Sequence, residues 1–175
     1  MDSNPLSQIM EAYKIYIECF KVAKRAVKQQ QSNLFAELNL LTQPNAQQHI
    51  VKTKIEIDDL FVFSLWATFE RFVITYLQNK GAGLQQTVTP FALATPLYKH
   101  FQKEVEFWNQ KEILDLLKTI PSIDKNSIGQ AKQILDYRNW IAHGKDVNKQ
   151  SSVNSMTPTY TYRILDEIVK VLLLT

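Results

Sequence analysis

The chain has 175 residues, 45% of them hydrophobic and 21% charged, which is enough for one compact domain spanning 1–175 and too little for two. Its formal charge of +3, from 20 Lys and Arg against 17 Asp and Glu, falls far short of a basic tail or a histone-like surface. The single cysteine, Cys19, excludes a disulfide scaffold and, with only His49, His100 and His143 beside it, leaves no set for structural zinc, so neither a metal nor a cofactor is expected.

The opening MDSNPLSQIMEAYK lacks the basic stretch and long apolar run of a secretory leader, and no run of about eighteen uninterrupted apolar residues occurs, so a cytoplasmic setting away from membranes is expected. Ile9, Tyr13, Tyr16, Phe20, Ala23 and Val27 recur three or four apart and predict a helix over 5–30, with a shorter one over Leu34 to Leu41. No Pro or Gly interrupts Ala46 to Lys80, where Ile55, Val62, Trp66, Phe69, Val73 and Leu77 keep helical spacing; this predicts one long helix, with a separate first segment over its more polar early turns as the alternative. GAGLQQTVTP ends it, and helices follow over 97–119 with a break at Asn109-Gln110. Asp124 or Ser127 caps the next helix, whose body is IGQAKQILDYRNWIA, and Gly144 suits the left-handed residue that closes it. The last helix takes Thr157 as cap and Pro158 at its first position. The polar stretch GKDVNKQSSVNSMT, 144–157, reads as a loop beside this pair. The fold expected is all-α, a mostly antiparallel bundle of about five to seven helices.

On a wheel of about 100° per residue, Ile128, Ala131, Ile134, Leu135, Tyr137, Ile141 and Ala142 share one broad face, and Arg138 falls near its middle. A cation there either snorkels to water or needs a counter-charge. Glu70 is the candidate partner, since it lies in the apolar sector of Trp66, Val73 and Leu77. Such a pair is either a structural bridge that pins two helices or part of a site. Asn139 and His143, four apart, share an edge of the same helix, and the following Gly144 places the imidazole in the last turn. Histidine suits proton transfer near neutrality, and an arginine beside it offers a planar donor fork for phosphate. Five residues apart, Arg138 and His143 meet one phosphodiester only if the helix end is distorted or a second chain contributes.

The run YRNWIAHGK, 137–145, resembles the signature of the HEPN superfamily, small α-helical bundles with an Arg, four to six residues, then His motif. The fuller RNxxAHG string, late in a helical chain and followed by one apolar helix, carries the resemblance, and SLWATFERFVITYL, 64–77, looks like the family's earlier core helix with an embedded Glu. The resemblance implies a metal-independent endoribonuclease that works as a homodimer with a composite active site and leaves a 2′,3′-cyclic phosphate and a 5′-hydroxyl. Carried over by position, Arg138 would bind the scissile phosphate, His143 would act as general base or acid, Asn139 would be the accessory polar residue and Glu70 would orient Arg138. Lys145, beside the motif, is a candidate RNA contact; the toxin branch paired with a nucleotidyltransferase antitoxin has Tyr there, so neutralisation by that route is not expected. A toxin or phage-defence effector, with an antitoxin or defence-system partner protein, fits the resemblance. The competing reading is a nonenzymatic interaction or antitoxin-type module of the same shape.

Other residues have plainer readings. Glu56, Asp58 and Asp59 form an acidic cluster of the kind that could hold a metal, but a solvated helix face explains it more cheaply, and Cys19 reads as a packing residue. Lys14, Lys21, Lys24, Arg25 and Lys28 give the first helix a basic flank that reads as a polar outer face or as a track for an RNA backbone. Trp140, opposite the apolar face of its helix, reads as an interface residue.

Overall fold

The structure, a computed structural model, describes residues 4–29, 45–146 and 156–175. Helix α1 spans Leu6–Lys28, and Asn4 starts it: its Oδ1 accepts the Leu6 amide at 2.9 Å, satisfying one of the donors a helix start leaves free. Helix α2, Ala46–Gly81, is one uninterrupted helix of 36 residues, about 54 Å long at the usual rise. A single turn, α3 (Leu84–Thr87), leads through a 3₁₀ turn into α4 (Ala94–Glu104). The expected break follows: a second 3₁₀ turn at Val105–Phe107 precedes Asn109, whose side chain accepts from the Lys111 amide and caps α5 (Gln110–Leu117). Asp124 caps α6 (Lys125–Ala142) through the Asn126 amide, while Ser127, the other cap candidate, is buried and donates to Glu167. Thr157 accepts from the Tyr160 amide and Pro158 opens α7 (Pro158–Leu174), as the sequence predicts. No strand occurs among the described residues, and the chain is an all-α bundle. The helix expected over Leu34 to Leu41 and positions 147–155 of the polar loop lie outside them.

Consecutive long helices run antiparallel. Tyr13 donates to Asp58 while Ala23 meets His49 and Ile50, so α1 descends as α2 rises. Lys111 pairs with Asp136 and Lys132 with Asp115, which sets α5 against α6 in the same sense. The non-consecutive pair α2 and α7 runs parallel: Asn4 reaches Asp166 while its neighbour Pro5 lies beside Thr68 and Phe72, and Tyr76 and Lys80 both meet Thr175. The core lies where α2, α6 and α7 converge, with Val62, Leu65, Trp66, Phe69 and Val73 packed against Ile134 and Leu135 from α6 and Leu165 and Ile168 from α7. Ala46–Thr87 includes an 18-residue window long and apolar enough to cross a membrane, and in the bundle it supplies the central core helix. Gly81 is needed for packing, since an added Cβ would lie 2.1 Å from the Phe101 ring.

No core cluster residue precedes Val62 on α2. The first turns of α2 therefore pair with α1 as a two-helix arm that extends past the core.

Candidate functional site

The C-terminal end of α6 reaches α2 where this arm begins. Two bonds close the helix: the Gly144 amide donates to Ile141 O at 3.0 Å and the Lys145 amide to Trp140 O at 2.9 Å, the Schellman arrangement. It requires a left-handed residue after His143, which Gly144 supplies at φ 78°. Gly144→Ala meets no steric obstacle, so only backbone strain opposes it; it is expected to lower stability by about 1 kcal/mol in urea unfolding. Lys145 also sits at positive φ, 59°, held there by its side-chain partners.

His143 is exposed at the helix cap, and Arg138 is half-buried one turn earlier. Full burial on α6 ends at Tyr137: Trp140 and Ile141 pack on the core only half-buried and Ala142 is exposed, so Arg138 stands at the margin of the bundle rather than in the middle of a buried face. Its guanidinium lies over the Phe63 ring, 4.8 Å from the centroid, and one terminal nitrogen donates to Asn139 Oδ1 at 3.0 Å. Its Nε is buried with no hydrogen-bond partner. Among the described residues no carboxylate pairs with this cation. Arg138 and Asn139 are thus brought into contact, with His143 on the same helix end.

Glu70 does not orient Arg138. It accepts from Gln110 Nε2 in a pocket lined by Trp66, Phe69, Ile113 and Leu114, facing α5. Phe63 and Glu70 share a face of α2, but seven residues separate them by about 10 Å along the axis, and Arg138 meets the level of Phe63.

Lys145 is not a free RNA contact either. Its ammonium pairs with Asp59 at 2.7 Å and Glu56 at 2.6 Å, with its side chain only 25% exposed. Asp59, expected on a solvated face, is 4% exposed and also accepts from the Tyr137 hydroxyl at 2.6 Å. Three neighbouring acids mask this network in the sequence, although Asp59 lies on the same stripe as Val62, Trp66 and Phe69. Burial, then the bond to Asp59, raises the Tyr137 hydroxyl well above its ordinary value. For Lys145, burial alone pushes the pKa down, but the bonds and charges of Asp59 and Glu56 outweigh it and the net shift is upward. Asp58 is engaged separately, by Tyr13 and Lys54.

Of the remaining candidates, His100 is exposed beside Glu104, and Cys19, read as a packing residue, is exposed on an apolar groove that it lines with Tyr16, Phe20, His49 and Ile50. Trp140 does not stand on an outer face: half-buried, it packs on Tyr137 with ring centroids 5.6 Å apart, and its Nε1 donates to Asp146 O at 3.0 Å. Among the described residues no group of three or more His, Cys, Asp or Glu is placed to hold a metal ion. Compared with family models, curated proteins and solved structures, the chain has no match in any of the three.

Proposed function

We propose that the chain is a metal-independent endoribonuclease whose motif is Arg138, Asn139 and His143, acting as a homodimer that brings two such motifs to one cleft. The observation that carries this reading is the Arg138 guanidinium, which pairs with no carboxylate among the described residues, fixed by Phe63 and Asn139 five residues before the exposed His143 on the same helix end. A half-buried cation without a carboxylate is costly to keep for structure alone, and its free donors match the oxygens of a phosphodiester. The resemblance of RNWIAHG to the HEPN motif supports the same roles.

In this reading Arg138 binds the non-bridging oxygens and stabilises the charge that builds on phosphorus. His143 takes the proton of the ribose 2′-hydroxyl as its oxygen attacks, and the bond to the 5′-oxygen breaks. The departing oxygen receives a proton from the second copy's imidazole, giving 2′,3′-cyclic phosphate and 5′-hydroxyl ends. DNA, lacking the attacking hydroxyl, is not cut. Leu60, 62% exposed one turn before Phe63, offers apolar surface beside the motif for the second copy. A role as a toxin or phage-defence effector rests on the resemblance alone.

The test is incubation of the purified chain with mixed cellular RNA, with end-group analysis, in EDTA and in magnesium. Cleavage to cyclic phosphate ends, unchanged by the chelator, is expected. Loss of cleavage in EDTA with rescue by magnesium would move the chemistry elsewhere, and intact RNA in both would favour the nonenzymatic module. Sedimentation at micromolar concentration is expected to give a dimer; a monomer that cuts RNA would sink the composite cleft.

A further inference from the structure

Charge is segregated toward one end of the molecule. The second half of α1, KVAKRAVK, carries Lys21, Lys24, Arg25 and Lys28 and no carboxylate, and the stretch of α2 paired with it, 46–55, carries Lys52 and Lys54 and none. Six cations of a chain whose formal charge is +3 therefore lie on the distal arm, and the other residues sum to −3. Lys21 and Lys54 have local partners, Glu18 and Asp58. Lys24, Arg25 and Lys28 are exposed and make no ion pair among the described residues.

The cations of α1 form a stripe. Lys14, Lys21, Lys24, Arg25 and Lys28 are all exposed, and their spacings of seven, three, one and three keep them on the outer side of the helix. The inner side is occupied by the α2 contact through Tyr13, Ala26 and Val27. From Lys14 to Lys28 the stripe runs about 21 Å, the length of several successive phosphates on an extended strand.

Its inner end is registered with the motif. Tyr13, next to Lys14, bonds Asp58, and Lys145, two residues past His143, bonds Asp59 and Glu56. The stripe thus begins at the level on α2 where α6 ends, and leads outward along the arm.

We infer that the outer face of α1 is a binding track for the ribose-phosphate backbone of RNA, separate from the Arg138 and His143 motif and holding the strand on one side of it. The choice of RNA rests on the proposed nuclease reading; the demand for an extended polyanion rests on the charge pattern alone. An anionic membrane is the poorer fit, because most of the apolar side of α1 is packed on α2 and only Ile15 and Val22 stand well exposed, too little apolar surface to insert.

The track is tested by binding, so its outcome does not depend on cleavage. The full chain carrying His143→Ala is titrated against a fluorescein-labelled single-stranded RNA, with anisotropy read at several salt concentrations. The triple reversal Lys24→Glu, Arg25→Glu, Lys28→Glu is compared with Lys99→Glu, Lys103→Glu, two exposed cations on α4. The α1 variant is expected to bind at least about tenfold more weakly, with the slope of log affinity against log salt shallower by about 2, while the α4 variant stays near the parent. Equal losses in both variants would show a whole-molecule charge effect and overturn the track. So would parent-level RNA binding in the α1 variant, or a parent that binds anionic vesicles and not RNA. Retained RNA binding by the parent in a chain that never cuts RNA would overturn the nuclease and leave the track standing.

Discussion

Replacing His143 with Ala is expected to reduce RNA cleavage by about 10²- to 10⁴-fold while leaving the melting temperature near that of the parent. The side chain is exposed at the cap of α6, and the bonds that close the helix come from backbone amides, which the substitution leaves in place. Arg138→Ala is expected to abolish cleavage as well. It removes a cation held over Phe63 with no counter-ion among the described residues, so its cost in stability is about 0.5–1 kcal/mol rather than that of a broken buried pair. Glu70→Gln separates this arrangement from a Glu70 and Arg138 pair: Glu70 faces Gln110, and cleavage should stay at the parent's rate. Cleavage measured by end-group analysis, with thermal melts of the same preparations, decides these points. Parent-level activity in His143→Ala would remove the proton-transfer role, and a large drop in activity for Glu70→Gln would restore the pair.

The features legible in the sequence are those fixed by local chemistry. Asp124, Thr157, Pro158 and Gly144 act within a turn of their own positions, and each does in the structure what its residue type predicts. The long uninterrupted helix and the break at Asn109 follow from where helix breakers do and do not occur. Axial register between helices is a different matter. Periodicity tells which side of α2 faces α6, but Phe63 and Glu70 share that side, and only packing decides which level meets Arg138. Opposite charge selected Glu70; the structure selects an aromatic ring two turns earlier. Asp59 is placed among apolar residues even more clearly than Glu70, since it precedes Val62 by three residues and Trp66 by seven on the core stripe. Its neighbours Glu56 and Asp58 disguised it as one member of a solvated cluster. Its partners Tyr137 and Lys145 bracket the motif, so the residue that anchors the motif's end to α2 lies 78 positions upstream of Tyr137.

Asp59→Ala is expected to destabilise the fold by about 2–4 kcal/mol, the largest effect of any single change at this end of α6. The substitution leaves the Tyr137 hydroxyl buried without its acceptor and Lys145 with only Glu56, whose side chain is 56% exposed. Glu56→Gln, by contrast, loses a bond at the rim and should cost no more than about 1 kcal/mol. The network also gives the parent a signature in alkali. The pKa values of Tyr137 and Lys145 are raised on folding, so the folded state holds both protons more tightly than the unfolded one. Their contribution is complete below the ordinary tyrosine value of 10.0 and is lost as pH rises beyond it. Urea unfolding should therefore show a wide gap between parent and Asp59→Ala at neutral pH that narrows above that value, because the unfolded chain then releases protons that the folded parent, through its bonds to Asp59, must keep. A gap that stays constant or widens in alkali would mean that Asp59 stabilises the helix end through packing, and that the hydrogen-bonded charges around it contribute little.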